Sequence, residues 1–351
     1  MKSKSSSAAT LCAAALLACL PGTADALDAS RAEVKSFIAE MSREHGFEAQ
    51  ALESLFENVE SKPKIIEAIS RPPERVKPWH EYRDIFLTDK RIRAGADFWC
   101  DRAEDLGAVA KPSGVPPEVL VAVLGVETFY GKITGSYRVI DALSTLAFDY
   151  PPRSDFFRQE LAEFLLLSRE EGVDPTTLNG SYAGAMGPPQ FMPSSYREYA
   201  VDSSEDGHRD LFADWRDVLG SIANYLTEHG WRAEEPVAVR VTSPETLRID
   251  PAENRLQLGD TVAGLRAKGL QFDTDLPGDA PAMLLALEGA DGPEYWVGFN
   301  NFYVITRYNR SAMYALAVHQ LGEEIAGARL SASPGGNAGN AGSETAMPSA
   351  N

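Results

Sequence analysis

A carboxylate at the end of an apolar run is the first residue of this chain with chemistry to offer. Val119 to Gly131 reads VLVAVLGVETFYG, so Glu127 closes a stretch fit for a protein interior and is followed by Thr128, Phe129, Tyr130 and Gly131. Half-desolvated there, its charged form is disfavoured and its pKa raised, which is what a general acid working near neutral pH requires. The plainer alternative makes Glu127 the last polar residue of a core helix, reaching water or capped by Lys132.

A second stretch, Ser181 to Pro193, reads SYAGAMGPPQFMP. Small residues let a ligand approach the backbone, and one amide, Gln190, stands among flanking aromatics; that is the composition of a carbohydrate subsite. A loop that merely turns the chain would explain the glycines but not Gln190 between proline and phenylalanine. Trp79, His80 and Tyr82 follow a proline-broken turn, where aromatics either pack a helix onto a core or edge a cleft on which sugar rings stack. A third stretch, Asp202 to Asp210, is acidic. Asp202, Ser204 and Asp206 with Gly207 and the carbonyl of His208 follow the calcium-loop scheme, but Ala213 stands where the bidentate glutamate belongs. Without a metal the run is a solvated acidic turn.

The elements that must position these residues are mostly helical. Val34, Phe37, Ile38 and Met41 fall at i, i+3, i+4 and i+7, which predicts an amphipathic helix over 30–43 with Ser30 as N-cap and Gly46 past its end. Helical character resumes over 52–56, 88–110, 116–127, 141–148, 156–170 and 215–229. After Pro236 the period changes to two: Val237, Val239 and Val241 alternate, as do Leu256 and Leu258, and the runs 283–287 and 295–299 are separated by turn residues. A last helix carries Tyr314, Val318, Leu321 and Ile325 on one face. The fold class expected is α+β, mainly α. From 331 the tail is Ser, Gly, Asn and Ala and lacks the apolar surface to order itself.

The 351 residues imply more than one structural unit, and 44% hydrophobic with 24% charged residues is an ordinary globular balance. A net charge of −18 leaves no basic stripe for phosphates, so nucleic acid and anionic membrane surfaces are not expected as partners. Lys2 and Lys4, the apolar run from Ala8 to Leu20 and Ala24-Asp25-Ala26 read as a cleavable export signal, giving a soluble periplasmic chain from Leu27. The run is too short to span a bilayer. The alternative is a lipoprotein anchored at Cys19, after Leu16-Leu17-Ala18. In the soluble form Cys100 is the one cysteine, so no intrachain disulfide forms.

The motifs GVETFYG, DALSTLAFDYPPR, SYAGAMGPPQFMPSSY, GSIANYL and NNFYVITRYN, in this order, resemble those of the B-type lytic murein transglycosylases, glycoside hydrolase family 103. The resemblance runs from about Glu33 to Arg329. It implies a lysozyme-like helical core over 88–232, an N-terminal helical domain over 27–87, a small β-rich domain over 233–300 and a segment over 301–329 that returns to the core. The leader is then 1–26 and the tail 330–351. The implied activity is cleavage of the MurNAc to GlcNAc bond of peptidoglycan with formation of 1,6-anhydroMurNAc; the alternatives are a hydrolase that leaves a reducing end and a non-catalytic glycan-binding protein. Glu127 matches the catalytic acid/base, Ser181 a hydroxyl beside it and Gln190 a cleft amide. Tyr82, Tyr225, Tyr303 and Tyr308 match cleft tyrosines, and Asn309 follows in the last motif. Arg153 matches the second of two arginines, with Pro152 in place of the first. Asp217 matches a residue that closes a calcium site with Asp202, Ser204, Asp206 and His208. No cofactor is required for catalysis; a structural calcium is the candidate ion. Glycan strands are the expected partner, other cell-wall enzymes are candidate partners, and a monomer is expected.

Overall fold

The structure, a computed structural model, describes residues 25–70, 77–242 and 254–332. The leader up to Ala24, with Cys12 and Cys19, the Pro72-Pro73 turn and the tail from 333 lie outside the described residues.

Helix α1 (Ala32–His45) buries Val34, Phe37, Ile38 and Met41, the face its spacing predicts. Gly46, at φ +68°, stops it by returning its N–H to the carbonyls of Met41 and Ser42. Ser30 does not cap it. Both its N–H and its hydroxyl go to the Asp28 carboxylate, and the helix begins one residue beyond Arg31. A short ladder pairs β1 (Asp25–Ala26) with β2 (Glu60–Ser61), and α2 (Ala49–Phe56) and α3 (Pro63–Ile69) flank it.

The helices that carry the candidate residues follow: α4 (Trp79–Phe86), α5 (Asp89–Asp101), α6 (Ala103–Ser113) and α7 (Pro117–Thr128). Pro117 at the first turn suits a helix start, since the N–H it lacks has no partner there. Val119 through Gly125 are buried without a break, so α7 is apolar all round and runs through the middle of the molecule. The last helix, α14 (Ala312–Ala332), lies along α7, α5 and α4. Gly125 permits this closeness: a Cβ there would come within 2.8 Å of the Tyr130 hydroxyl and 3.0 Å of Leu321.

Next come α8 (Val139–Asp149), a 3₁₀ turn over Pro151–Arg153, α9 (Ser154–Glu170), α10 (Pro193–Tyr199) and α11 (Trp215–Glu228). Two-residue strands β3 (Tyr137–Arg138) and β4 (Asn179–Gly180) pair beside the glycine-rich loop. One apolar cluster reaches from Leu27 to Ile325 through all of these. The β-rich unit has its own cluster, including Val262, Leu265, Tyr295 and Phe299. Its sheet is antiparallel, in the order β5 (Ala238–Arg240), β8 (Gly292–Gly298), β7 (Pro281–Gly289), β6 (Asp260–Thr261), with α12 (Val262–Ala267) against it. The alternation at Leu256 and Leu258 forms no strand; this stretch bends, and Leu258 packs on the larger core. Helix α13 (Asn300–Tyr308) leads from β8 back to α14. The fold is α+β, mainly α. No single described helix is long and apolar enough to cross a membrane.

Candidate active site

Glu127 sits in the last turn of α7, and the chain leaves that turn by an unusual route. Phe129 (φ 52°), Tyr130 (φ 61°) and Gly131 (φ +79°) are all left-handed. For the two aromatic residues this costs on the order of 1 to 2 kcal/mol each. Local contacts offset it. The Tyr130 hydroxyl donates to the Arg91 carbonyl at 2.8 Å, and the Arg91 guanidinium donates back to the Gly125 carbonyl while stacking over Phe129 at 5.0 Å. Thr128, fully buried, donates to the Pro188 carbonyl at 2.9 Å and accepts the Gly131 N–H at 2.9 Å. The turn is thereby tied both to α5 and to the glycine-rich loop, so the backbone carrying Glu127 is held from two sides.

The carboxylate of Glu127 accepts a hydrogen bond from the Tyr314 hydroxyl at 2.6 Å. Tyr314 comes from α14 and is 2% exposed. Burial, and then the negative charge of Glu127, push its phenol well above the ordinary tyrosine pKa. It therefore stays protonated and donates at any working pH. Tyr308 lies parallel to it at 6.5 Å, its phenol raised by the same two causes, and gives its proton to the Pro189 carbonyl at 2.6 Å. Tyr225 continues the cluster 4.9 Å from Tyr308 and donates to the Arg307 carbonyl at 2.6 Å; burial pushes its phenol up to about 12.

Gln190 adopts φ 53° and spends its amide on the carbonyls of Thr134 (3.1 Å) and Gly187 (2.9 Å), which fixes the loop's turn. Ser181 Oγ accepts the N–H groups of Ala183 (3.3 Å) and Ala185 (3.0 Å), contacts that leave the hydroxyl's own proton for another acceptor. Gly135 is irreplaceable here: at φ +103° a Cβ would lie 2.0 Å from the Gly180 carbonyl oxygen, one residue before Ser181.

The remaining site residues are distributed unevenly. Tyr82, on α4, is 3% exposed and packs on Phe86 at 5.2 Å, close enough to Tyr314 to influence its ionisation. Tyr303 is half-buried, with the Arg307 guanidinium 6.0 Å over its ring, and Asn309 caps α13. Arg153 is exposed on the 3₁₀ turn, stacked on Phe156 and Phe157 at 4.3 and 5.0 Å. Glu127, Tyr308 and Tyr225 thus share one cluster with Tyr314, while Arg153 stacks on the rings of the helix that follows its turn. The sequence shows Tyr314 only as part of an apolar helical face. Its signal was a hydroxyl within that face.

In the acidic loop, carboxylate oxygens of Asp202, Asp206 and Asp217 lie within 4.8 Å of one another. Asp217, buried on α11, accepts the N–H groups of Ser203 (2.8 Å), Ser204 (2.9 Å) and Asp210 (2.9 Å). Ser204 Oγ approaches Asp202 at 3.4 Å, and His208 donates its backbone N–H to Asp206. Clustered hard oxygens at this spacing suit calcium. Asp217, however, already fastens the loop by itself.

A family model described as the transglycosylase SLT domain matches residues 29–323. Solved structures that resemble the chain include the following three. The soluble lytic transglycosylase SltB1 from Pseudomonas aeruginosa is 53% identical with a TM-score of 0.77, over 85% of this chain and 99% of that one. The Escherichia coli lytic transglycosylase Slt35 in complex with calcium is 39% identical, with TM-score 0.77 over 86% and 95%. SltB3 from Pseudomonas aeruginosa in complex with NAG-anhNAM-pentapeptide is 32% identical, with TM-score 0.74 over 84% and 78%. With the family match spanning nearly all of the described chain, this protein belongs to the transglycosylase SLT domain family and is a lytic transglycosylase, a lyase, of the B type.

Proposed function

We propose that the chain cleaves the MurNAc to GlcNAc bond of peptidoglycan strands and closes a 1,6-anhydro ring on MurNAc, with Glu127 as acid and then base. The observation that carries this reading is the 2.6 Å bond from Tyr314 to Glu127 at the end of a buried helix. Ordinary glycosidases use two carboxylates, one as acid and one as nucleophile or base. Here the carboxylate that the tyrosine cluster holds is Glu127, through Tyr314. Glu127 gives its proton to the glycosidic oxygen as the C1–O bond breaks. As carboxylate it then takes the proton of the C6 hydroxyl of the same MurNAc, whose oxygen bonds to C1. No water is consumed, so no second carboxylate is needed to position one. Ser181 and Gln190 hold the turns of the glycine-rich loop, and the NAG-anhNAM-pentapeptide bound to the related SltB3 is a fragment of this product class.

Glu127→Gln is expected to keep the fold and glycan binding and to lose essentially all turnover. Mass spectrometry of digested wall identifies the reaction: anhydro termini are expected, whereas reducible ends heavier by one water would establish hydrolysis instead. A structural calcium at Asp202, Ser204, Asp206, His208 and Asp217 is part of the same proposal, supported by the calcium complex of Slt35. So is export as a soluble periplasmic enzyme beginning near Leu27, supported by the leader. N-terminal sequencing of the exported protein decides it; a lipid on Cys19 would overturn it.

A further inference from the structure

The loop after Glu127 carries charge that the reaction just described does not use. It runs from Phe129 to Thr134, whose carbonyl accepts the Gln190 amide at 3.1 Å, so it lies between the acid and the amide of the site. Lys132 is exposed on it, and Ile133, 69% exposed, presents a branched apolar side chain to water. Lys90, exposed in the first turn of α5, reaches the same place. Its ammonium lies 5.7 Å from the centre of the Phe129 ring, that of Lys132 lies 5.4 Å away and the Arg91 guanidinium 5.0 Å.

Three cations therefore share one ring in a chain of net charge −18. Neither lysine has a carboxylate at ion-pair distance among the described residues, although acidic side chains are abundant elsewhere. Lys90 also stands against its own helix, since the first turn bears the positive end of the dipole and disfavours a cation. Arg91 is turned inward to Gly125, and its Nε is buried with no hydrogen-bond partner. A ring face holds an ammonium without neutralising it. Uncompensated positive charge, assembled against local preference beside a catalytic carboxylate, marks a place prepared for an anion.

We infer that Lys90 and Lys132, with Ile133 beside them, hold the peptide that hangs from the glycan strand, by its carboxylates. The inference rests on the peptidoglycan reading above. In that reading the MurNAc being cleaved sits at Glu127, and the exposed positive surface adjoining it is the loop that follows Glu127. A peptide with a free C-terminus offers a carboxylate to the ammonium pair and side-chain methyl groups to Ile133.

The test compares two substrates, wall fragments with intact peptides and the same strands stripped of peptide by an amidase. The readout is the ratio of kcat/KM on the first to kcat/KM on the second. In the double variant Lys90→Glu/Lys132→Glu that ratio is expected to fall about tenfold, each exposed ion pair contributing a factor of a few. Lys90→Gln/Lys132→Gln should give a smaller fall, and rising salt should erase the wild-type preference. A ratio that stays the same in both variants overturns the inference, even if both rates drop. Anhydro ends on the wild-type products, scored in the same digests, report on the reaction itself, so a failure of that reading is seen separately.

Discussion

Tyr314→Phe removes one proton donor and almost nothing else. The ring keeps its place between α7 and Tyr308, while the 2.6 Å bond to Glu127 is lost. A hydrogen bond to a charged group contributes about 1.5 to 3 kcal/mol. If that bond orients the carboxylate in the transition state, its loss raises the barrier by a similar amount, and at about 1.4 kcal/mol per decade kcat falls roughly 10- to 100-fold. Tyr314 touches the acid rather than the strand in this arrangement, so KM should hardly move. Destabilisation of ~2 kcal/mol lowers the melting point of a chain this size by only a few degrees, so folding and catalysis can be separated. The assay is steady-state release of soluble muropeptides at a temperature well below melting, with circular dichroism as the control. An unchanged kcat would refute the role assigned to the hydroxyl, as would a loss confined to KM.

Calcium bound by Asp202, Asp206 and Asp217 stabilises only the native state, so the melting temperature should rise with free calcium, and Asp217→Asn should abolish the rise; identical melting curves in chelator and in millimolar calcium would remove the site. The phenols of Tyr130, Tyr196, Tyr225, Tyr308 and Tyr314 are all raised, in each case chiefly by burial. With folded pKa values above the unfolded one of about 10, their contribution to stability is complete below pH 10 and is lost as pH climbs through the raised values. Ultraviolet titration should accordingly show these five ionising only together with loss of helical signal, and their ionisation in a still-folded protein would contradict the burial.

Much of this was legible in the amino acids. An unbroken apolar run behind two prolines reads as a buried helix, and the carboxylate that ends it, either capped or functional in the sequence, is held by Tyr314. Glycine at 46 stopped α1 because only a left-handed residue closes that turn cheaply. Ser30 misled because the helix starts only at Ala32, which leaves Ser30 outside the cap position with its hydroxyl donating to Asp28. The alternation at Leu256 and Leu258 misled because three residues cannot distinguish a strand from a bend that buries one leucine. Tyr314 was hidden for a deeper reason. The same helical phase that puts Val318, Leu321 and Ile325 into the core also aims its hydroxyl at Glu127, so periodicity describes the packing and is silent about the contact across it. Tyr82 and Tyr225, which match cleft tyrosines of the family, are nearly buried, so their rings pack in the aromatic cluster.

The bond between Tyr314 and Glu127 joins residues 187 positions apart. Helix α14, which carries the tyrosine, is the final described helix, and it closes over α7, α5 and α4 only after everything between has been made. Contacts so distant along the chain are among the slowest to form. A nascent or truncated polypeptide can hold Glu127 on a finished helix and still lack its donor. With Tyr314 orienting Glu127 as proposed, competence to cut arrives only once α14 has docked, and a polypeptide truncated before Ala312 is expected to be inert.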